Sequence, residues 1–306
     1  VFGDMPFPSD IDVDADGTRN VFTFPNPTNA DMLEVYRGVA EKGTGWALNG
    51  AHYMGFDGPL DPTGLPATTA ATLSADSNVQ LVDVDSTSPE RGTRIPLRIR
   101  YREEETIFIP FNTLITLPVL GFPLRPNTTY ALVVLDGVKG KLGGRVDPSA
   151  DLKELLKNEA PADARLAKAH TAYAPLRAAT DLLPVARVVH ATVFTTVHPL
   201  PELSRARDRV VSLAPFPVTN WIRPPDHDQF TNYYVYEGTV GLPQFQQGTA
   251  PYEGFDGESG GFKTDATDTP VVQRTEQVKF LLTIPKTATP PAGGWPTTIV
   301  ATGTGG

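Results

Sequence analysis

The first residue that could carry nucleophilic chemistry is Ser259, at the centre of GESGG, which matches the GxSxG pattern of a nucleophile elbow. Such an elbow needs a strand before the serine and a helix after it, so that the hydroxyl stands exposed on a sharp turn. Here the serine lies among glycines and acidic residues, and the following GFKTDATDTP lacks a helical pattern. No histidine follows it, because the last one is His227. We therefore interpret this match as a chance occurrence.

The histidines are candidates for acid–base or metal chemistry. None of the five forms an HExxH motif or another close pair, so the sequence gives weak support for a zinc site. His170 falls on a predicted helix, and His190 and His198 flank ATVFTT, where turn or edge positions are expected. His227 lies between two aspartates that favour its protonated form, although loop packing is the expected role.

The acidic segment near the start of the chain offers a metal candidate. Asp12, Asp14 and Asp16 with Gly17 match the first six positions of an EF-hand calcium loop. Position twelve is Thr23 rather than a bidentate glutamate, and the flanking residues read as strand and turn rather than as helices. Two interpretations remain open, a solvated acidic hairpin, which we favour, and a calcium site. No cofactor is required, and calcium is the only one indicated.

The segment GWPTTIVATGTGG predicts a strand followed by a flexible turn. An apolar, β-branched run at 297–301 leads directly into Gly303, Gly305 and Gly306. Together with the strand predicted at 279–284, this run would be apolar on both faces and open at an edge, which invites pairing. We expect this unfinished sheet to be completed by residues that are not in this chain.

The elements that must position these residues are mostly strands over the first two thirds of the chain. NADMLEVYRGVAEKG predicts a helix with a cap at Asn29, and VQLVDVD, RIPLRIRYRE, TIFIPF and YALVVLDGV predict strands. ATVFTT is expected to close the same sheet. Apolar residues at three- and four-residue steps between 150 and 185 predict a helical insertion in a β-sandwich.

The pattern of predicted secondary structure changes after residue 201. ELSRARDRVVSLA predicts a connecting helix, NYYVYEGTVGLPQF and EQVKFLLTIP predict strands, and PTTIVA predicts a last strand. We therefore divide the chain at this point, into a β-rich domain at 1–201 and a second, incomplete domain at 202–306.

Composition narrows the class of protein. The chain has 306 residues, 30 prolines, 27 glycines and no cysteine, so thiolate catalysis, disulfides and cysteine-based zinc sites are excluded. The net charge is −9 and basic residues are scattered, which argues against nucleic acid as a partner. No apolar run reaches the ~18 residues needed to span a bilayer. An acidic, cysteine-free chain of this kind is compatible with bacterial export and also with a cytosolic location.

The order of several segments resembles one family. MPFPSDIDVDADGT, PLRPNTTYALVVLDGVKGKLGGRV, ATVFTT, YYVYEGTVGLPQFQQGTAPY and VKFLLTIPKTATPPAGGWPTTIVATGTGG occur here in the order found in secreted bacterial lipases and esterases of the virulence-factor-lipase type. The resemblance implies an Ig-like N-terminal sandwich followed by an α/β-hydrolase domain. It covers most of the chain, with 202–306 as the first strands of the hydrolase sheet.

The resemblance also implies a role for the glycine-rich loop. In that family the strand after GWP delivers a loop whose backbone N–H groups help to form the oxyanion hole, which corresponds here to Thr302, Gly303 and Thr304. The family has histidine where this chain has Thr302. Because the donors are backbone groups, the change leaves the hole possible but puts the orientation of the loop in question.

From these observations we expect the N-terminal part of a secreted ester hydrolase, inactive on its own and located outside the cytoplasm or on the surface of a bacterium. Its partner would be a C-terminal hydrolase chain or segment that carries the serine, aspartate and histidine, and its substrate an ester or a lipid. Two alternatives remain: a non-catalytic cell-surface binding or structural protein with a degenerate hydrolase domain, which Thr302 favours, and an autoprocessing hydrolase.

Overall fold

A computed structural model of the chain shows two compact units, unit 1 (Val1–Pro199) and unit 2 (Leu200–Gly306). Strands hold 30% of the residues and helices 21%, and the sheets are antiparallel, so the fold is mainly β, as the sequence predicts. The residues that the structure describes are 5–14, 17–21, 24–41, 43–199, 201–250, 260–286 and 289–300.

Unit 1 contains two antiparallel sheets in its described residues. Its strands are β1 (His52–Gly55), β2 (Val79–Asp83), β3 (Arg94–Ile95), β4 (Leu97–Arg102), β5 (Thr113–Pro118), β6 (Thr129–Leu135) and β7 (Val188–Thr195). One sheet has the order β1–β5–β4 and the other the order β3–β2–β6–β7. The helices of unit 1 are α1 (Asp31–Glu41), α2 (Ala150–Leu155), α3 (Ala167–Ala172) and α4 (Ala174–Ala178).

The main core of unit 1 joins the two sheets face to face. Buried side chains from both sheets belong to one contacting cluster, among them Met54, Leu81, Leu97, Leu114, Leu132 and Phe194. Residues alternate along the edge strand β4, so that Leu97, Ile99 and Tyr101 pack on this cluster while the residues between them point away. The two sheets therefore form a β-sandwich.

The outer face of the four-stranded sheet is covered by helices α2 to α4. They lie between β6 and β7, where the sequence predicts a helical insertion, and β6 pairs with β7 as expected for ATVFTT. The Tyr173 hydroxyl donates a 2.7 Å hydrogen bond to the carbonyl of Ala191 on β7. Because both faces of this sheet are covered, β2 and β6 are buried along almost their whole length.

Helix α1 begins later than predicted. Asn29 does not cap it, because its backbone has a φ of 48° and the first helical amides donate to the carbonyl of Ala30. Asn26 organises the start instead, since its Oδ1 accepts from the Ala30 N–H at 2.9 Å. The helix ends at Glu41, just before Gly43, as predicted.

The segment TIFIPF (106–111) is not a strand, which corrects the prediction. It forms the hairpin loop between β4 and β5, in which the Thr106 N–H donates to the carbonyl of Ile109 at 2.8 Å. The Thr106 hydroxyl accepts from the Ile109 N–H at 2.9 Å. This side chain satisfies the backbone locally, and Pro110 has no N–H for a ladder, so the apolar run turns instead of pairing.

Unit 2 is built on one antiparallel sheet with the order β10–β9–β8. Its elements are helix α5 (Pro201–Ser212) and strands β8 (Val218–Ile222), β9 (Tyr233–Gln244) and β10 (Arg274–Pro285). The predicted connecting helix and both long strands are confirmed, and β9 pairs with β10 over twelve residues. In the part of the chain that the structure describes, no helix is long and apolar enough to cross a membrane.

The last predicted strand, PTTIVA, is not formed in its described residues. Residues 297–300 belong to no strand, and Ile299 and Val300 are 90% and 79% exposed. The β-branched run has the intrinsic preference of a strand, but within the described residues no neighbouring strand supplies its hydrogen bonds.

Candidate functional site

The residues predicted to form the oxyanion hole lie outside the described part of the chain. Thr302, Gly303 and Thr304 belong to 301–306, and Ser259 belongs to 251–259. The structure therefore gives no geometry for these residues, and their assignment stays a prediction. The structure does describe the sheet of unit 2.

That sheet has an open edge at β10. This strand pairs with β9 on one side, and among the described residues no strand lies on its other side. In the described part of unit 2, hydrophobic side chains are buried only at Ala206, Val235 and Phe245, compared with 32 such side chains in unit 1. Val278 and Leu281 of β10 are exposed. An open edge with exposed apolar side chains is a place where further chain can pair.

One face of the same sheet carries a cluster of aromatic rings. The indole of Trp221 stacks on Tyr236, with ring centroids 5.5 Å apart and an interplanar angle of 13°, and lies 5.6 Å from the ring of Phe280. The rings close over Gly238, where a Cβ would lie 2.7 Å from Phe280 and 2.9 Å from Trp221. Glycine is therefore required at this position for the rings to meet.

Two cations lie beside the neighbouring ring of Tyr234. The Arg223 guanidinium carbon is 4.4 Å from its centroid, and the Lys286 Nζ is 5.0 Å from it. The Lys286 ammonium also donates to the carbonyl of Phe230 at 2.5 Å, so the loop before β9 is held to the end of β10. Cation–π contacts of this kind favour a fixed ring orientation. The face of the sheet is thus a flat apolar platform with positive charge at one end.

The calcium candidate is described only in part, because Asp16 lies outside the described residues. Asp12 ends a 3-10 helix at Asp10–Asp12, and the turn that follows is closed by the Gly17 N–H donating to the Asp14 carbonyl at 2.9 Å. The Lys168 ammonium lies 3.2 Å from the Asp14 carboxylate. Burial raises the pKa of Asp12, and the same lysine opposes this rise. A calcium ion here would meet a positive charge already in place.

No group of three His, Cys, Asp or Glu side chains that could hold a metal ion exists among the residues that the structure describes. With Asp16 outside that set, the calcium site stays a prediction. The hairpin interpretation gains direct support, because Val13 and Arg19 form an antiparallel bridge across the turn.

Asp10 is a buried carboxylate whose role the sequence did not indicate. Its Oδ1 accepts from the Thr195 N–H at 2.9 Å and its Oδ2 accepts from the Thr195 hydroxyl at 2.7 Å. Burial raises the pKa of Asp10, while these hydrogen bonds and the indole of Trp46 lower it. The Trp46 N–H does not reach hydrogen-bond geometry, so we regard its effect as the weaker one. Asp10 thus fastens the 3-10 helix to the end of β7.

An open groove of about 770 Å³ lies beside Asp10 within unit 1. Its lining combines the ion pair of Asp14 and Lys168 with hydroxyl, amide and imidazole groups from Thr44, Thr171, Thr195, Asn127 and His198. The groove joins polar groups that the sequence leaves far apart. It contains no paired nucleophile and base, since its carboxylates are engaged by Thr195 and Lys168. Its lining offers hydrogen-bond donors and acceptors.

Two histidines belong to the sandwich, of which His52 is buried in the core and His190 is partly buried. His52 Nδ1 lies 2.9 Å from the Thr116 hydroxyl, and burial lowers its pKa to about 4. His190 lies within β7, an edge strand of the four-stranded sheet, and its Nε2 lies 2.9 Å from the Gly55 carbonyl. Burial lowers its pKa to about 4 as well. Both rings are therefore neutral near pH 7 and serve packing.

Comparison of the chain with models of known protein families gives no match, and comparison with curated proteins gives none either.

Proposed function

We propose that this chain is the N-terminal portion of a secreted bacterial serine ester hydrolase of the lipase or esterase type. In this proposal unit 1 is an accessory Ig-like sandwich and unit 2 holds the first strands of an α/β-hydrolase sheet. The order in which the quoted sequence segments follow one another along the chain supports the assignment to this family. The single observation that carries the proposal is the open sheet of unit 2, whose apolar side chains stay exposed along β10.

Physical chemistry explains why such a sheet needs completion. Burying a Val, Leu or Ile side chain contributes about 1.5–3 kcal/mol, and Leu281, Ile299 and Val300 are all more than half exposed. A few strands gain independent stability only when an apolar face packs on another layer. Strands and helices from further residues, or from a second polypeptide, would provide that layer and pair with the edge of β10.

In the completed enzyme this chain contributes backbone donors rather than the reacting side chains. Serine, its acid and its histidine come from residues outside the chain. The serine oxygen attacks the ester carbonyl while the histidine takes its proton, the alcohol leaves with a proton from that histidine, and water then hydrolyses the acyl-enzyme. The N–H groups of 302–304 donate to the oxyanion, and Gly303 allows the backbone to approach it closely.

A serine-directed phosphonate tests the proposal on the native protein. The protein is captured from its bacterial source with an antibody against unit 1, treated with a fluorophosphonate and analysed by mass spectrometry. We expect an adduct on a serine outside 1–306, and no hydrolysis of p-nitrophenyl esters by the isolated chain. Full activity of the isolated monomer would refute the proposal that the catalytic side chains lie outside this chain. Absence of any adduct would favour a non-catalytic surface protein instead.

The assignment of the oxyanion loop has its own test in the active protein. Thr302→Pro removes one backbone N–H, whereas the matched control Thr302→Ser keeps it. Loss of an oxyanion donor lowers kcat by roughly 10²–10³-fold, so the proline variant should show a loss of this size and the serine variant little change. Equal activity of the two variants would remove Thr302 from the set of donors.

A further inference from the structure

Three arginines lie in a row on the outer face of the sandwich. Arg98, Arg100 and Arg102 alternate along β4 with the residues that pack into the core, so they share the opposite face of an edge strand. Side chains two residues apart on a strand are about 7 Å apart. The row therefore presents three guanidinium groups at regular spacing on one surface.

These arginines have no partner among the described residues. None of the three guanidinium groups forms a hydrogen bond or an ion pair there, and the Nε of Arg102 is buried without a hydrogen bond. Other arginines of unit 1 are paired, for example Arg91 with Asp181 at 2.7 Å and Arg187 with Asp136 at 2.9 Å. In a chain of net charge −9, three neighbouring arginines without an ion pair among the described residues leave this surface able to attract an anionic partner.

The loop that follows this row displays apolar side chains. Residues 103–112 connect β4 to β5, and Ile107, Phe108 and Phe111 are 68%, 44% and 55% exposed. Thr106 holds the loop in shape, because its hydroxyl accepts from the N–H groups of both Phe108 and Ile109. These side chains are therefore presented by an ordered turn rather than exposed by local unfolding.

A second loop is held against the base of the first. The Lys141 ammonium contacts both carboxylate oxygens of Glu103 at 2.7 Å, and Leu142, the next residue, is 99% exposed. The contact neutralises Glu103, while Glu104 and Glu105 keep negative charge beside the row. The basic-apolar surface is defined here as Arg98, Arg100, Arg102, Ile107, Phe108, Phe111 and Leu142.

We propose that the basic-apolar surface binds the surface of an anionic lipid layer. Protruding Ile, Phe and Leu side chains can enter the acyl boundary, and nearby guanidinium groups can contact lipid phosphates. Charge complementarity selects anionic headgroups, because each Arg near such a surface contributes to attraction that decays within a Debye length. The inference concerns unit 1 alone and stands whether or not the chain belongs to an ester hydrolase.

Vesicle sedimentation with the whole chain tests this proposal. We expect the chain to sediment with vesicles of phosphatidylglycerol and phosphatidylcholine, to stay free of pure phosphatidylcholine vesicles, and to be released by added salt. The R98Q/R100Q/R102Q variant should bind about a hundredfold more weakly, because each arginine accounts for about a fivefold change. The I107S/F108S variant should bind at least about tenfold more weakly, because it cannot insert apolar side chains.

Matched controls separate this surface from general charge and hydrophobicity. R205Q/R207Q/R209Q removes the same charge from α5, and L120S/F122S removes two exposed apolar side chains near the other end of β5. Both controls should bind like the unchanged chain, and the melting temperature of each variant checks that it is folded.

Two results would overturn the proposal directly: no sedimentation with anionic vesicles, or an equal loss of binding in the control variants. The proposal would also fail if the chain bound soluble heparin as tightly as vesicles and if the I107S/F108S substitutions left both affinities unchanged.

Discussion

The buried ring of His52 makes the stability of unit 1 depend on pH. The ring is 1% exposed in the sandwich core, where burial lowers its pKa from the ordinary 6.5 to about 4. In the unfolded chain the ring takes up a proton near pH 6.5, but in the folded protein it resists the proton until about pH 4. The unfolded state therefore binds more protons between these values, and stability falls as the pH is lowered through this window.

The size of this effect follows from the two pKa values. Each tenfold difference in proton affinity is worth about 1.4 kcal/mol. Linkage therefore predicts a loss of about 2 kcal/mol between pH 8 and pH 5, and of about 3 kcal/mol once the pH is below 4. His190 acts in the same direction, but its residue is only partly buried at the surface of the sandwich. We therefore assign it a smaller share, because solvent screens a partly exposed group.

Urea unfolding of the double variant His52→Phe/Thr116→Val measures the contribution of His52 to the pH dependence of stability. Replacing both hydrogen-bonding partners by apolar groups avoids leaving the buried Thr116 hydroxyl unsatisfied. The difference in the free energy of unfolding between pH 8 and pH 5 should be about 2 kcal/mol smaller in the variant. The single variant His52→Asn cannot titrate but can still form a hydrogen bond with Thr116. It should show the same smaller pH dependence, and it replaces the double variant if the larger phenylalanine ring disturbs packing.

An unchanged pH dependence in both variants would refute the reasoning. Buried carboxylates do not mimic the effect, because a raised pKa has the opposite sign. Asp10 and Asp83 have pKa values raised by burial, so the folded state holds their protons more tightly. Acidification then stabilises the fold as the pH falls through their folded pKa values toward 3.8.

Two further predictions concern single contacts. Gly238→Ala places a Cβ 2.7 Å from Phe280, so it should destabilise unit 2 by about 1–3 kcal/mol and change its tryptophan fluorescence. The control Gly261→Ala places a Cβ in open space and should change neither the stability nor the fluorescence. Asp10→Ala removes both acceptors of Thr195 and should cost unit 1 about 1–3 kcal/mol in urea unfolding; Asp10→Asn, which keeps one acceptor, should cost less, and equal losses would contradict this account.

Periodicity in the sequence was sufficient for the elements that pair with close neighbours. The sequence predicts both long strands β9 and β10, and they pair with each other over twelve residues, so prediction and structure agree. The helices between β6 and β7 were likewise visible as three- and four-residue steps. For these helices, the sheet that buries their apolar residues lies within the same unit.

The same periodicity failed where burial depends on a partner that the pattern cannot reveal. In α1 the apolar residues Met32, Val35, Tyr36 and Val39 recur at helical three- and four-residue steps, and all four are exposed. The pattern fixes which residues share a face of the helix, but not whether another layer covers that face. The carboxylate of Asp10 is the opposite case: in sequence it belongs to an acidic run, and only the fold brings it to Thr195, 185 residues away.

The two units differ in what holds them together. In unit 1 the two sheets pack on each other and helices cover the outer face of the four-stranded sheet, so the core includes residues buried on both sides of β6. In unit 2 the strands satisfy one another through backbone hydrogen bonds, yet most of their apolar side chains remain in contact with water. Backbone pairing contributes little net free energy without burial, so the described sheet of unit 2 has the hydrogen bonds of a folded domain without its hydrophobic core. This missing core is the physical basis of the proposal that further residues cover the sheet.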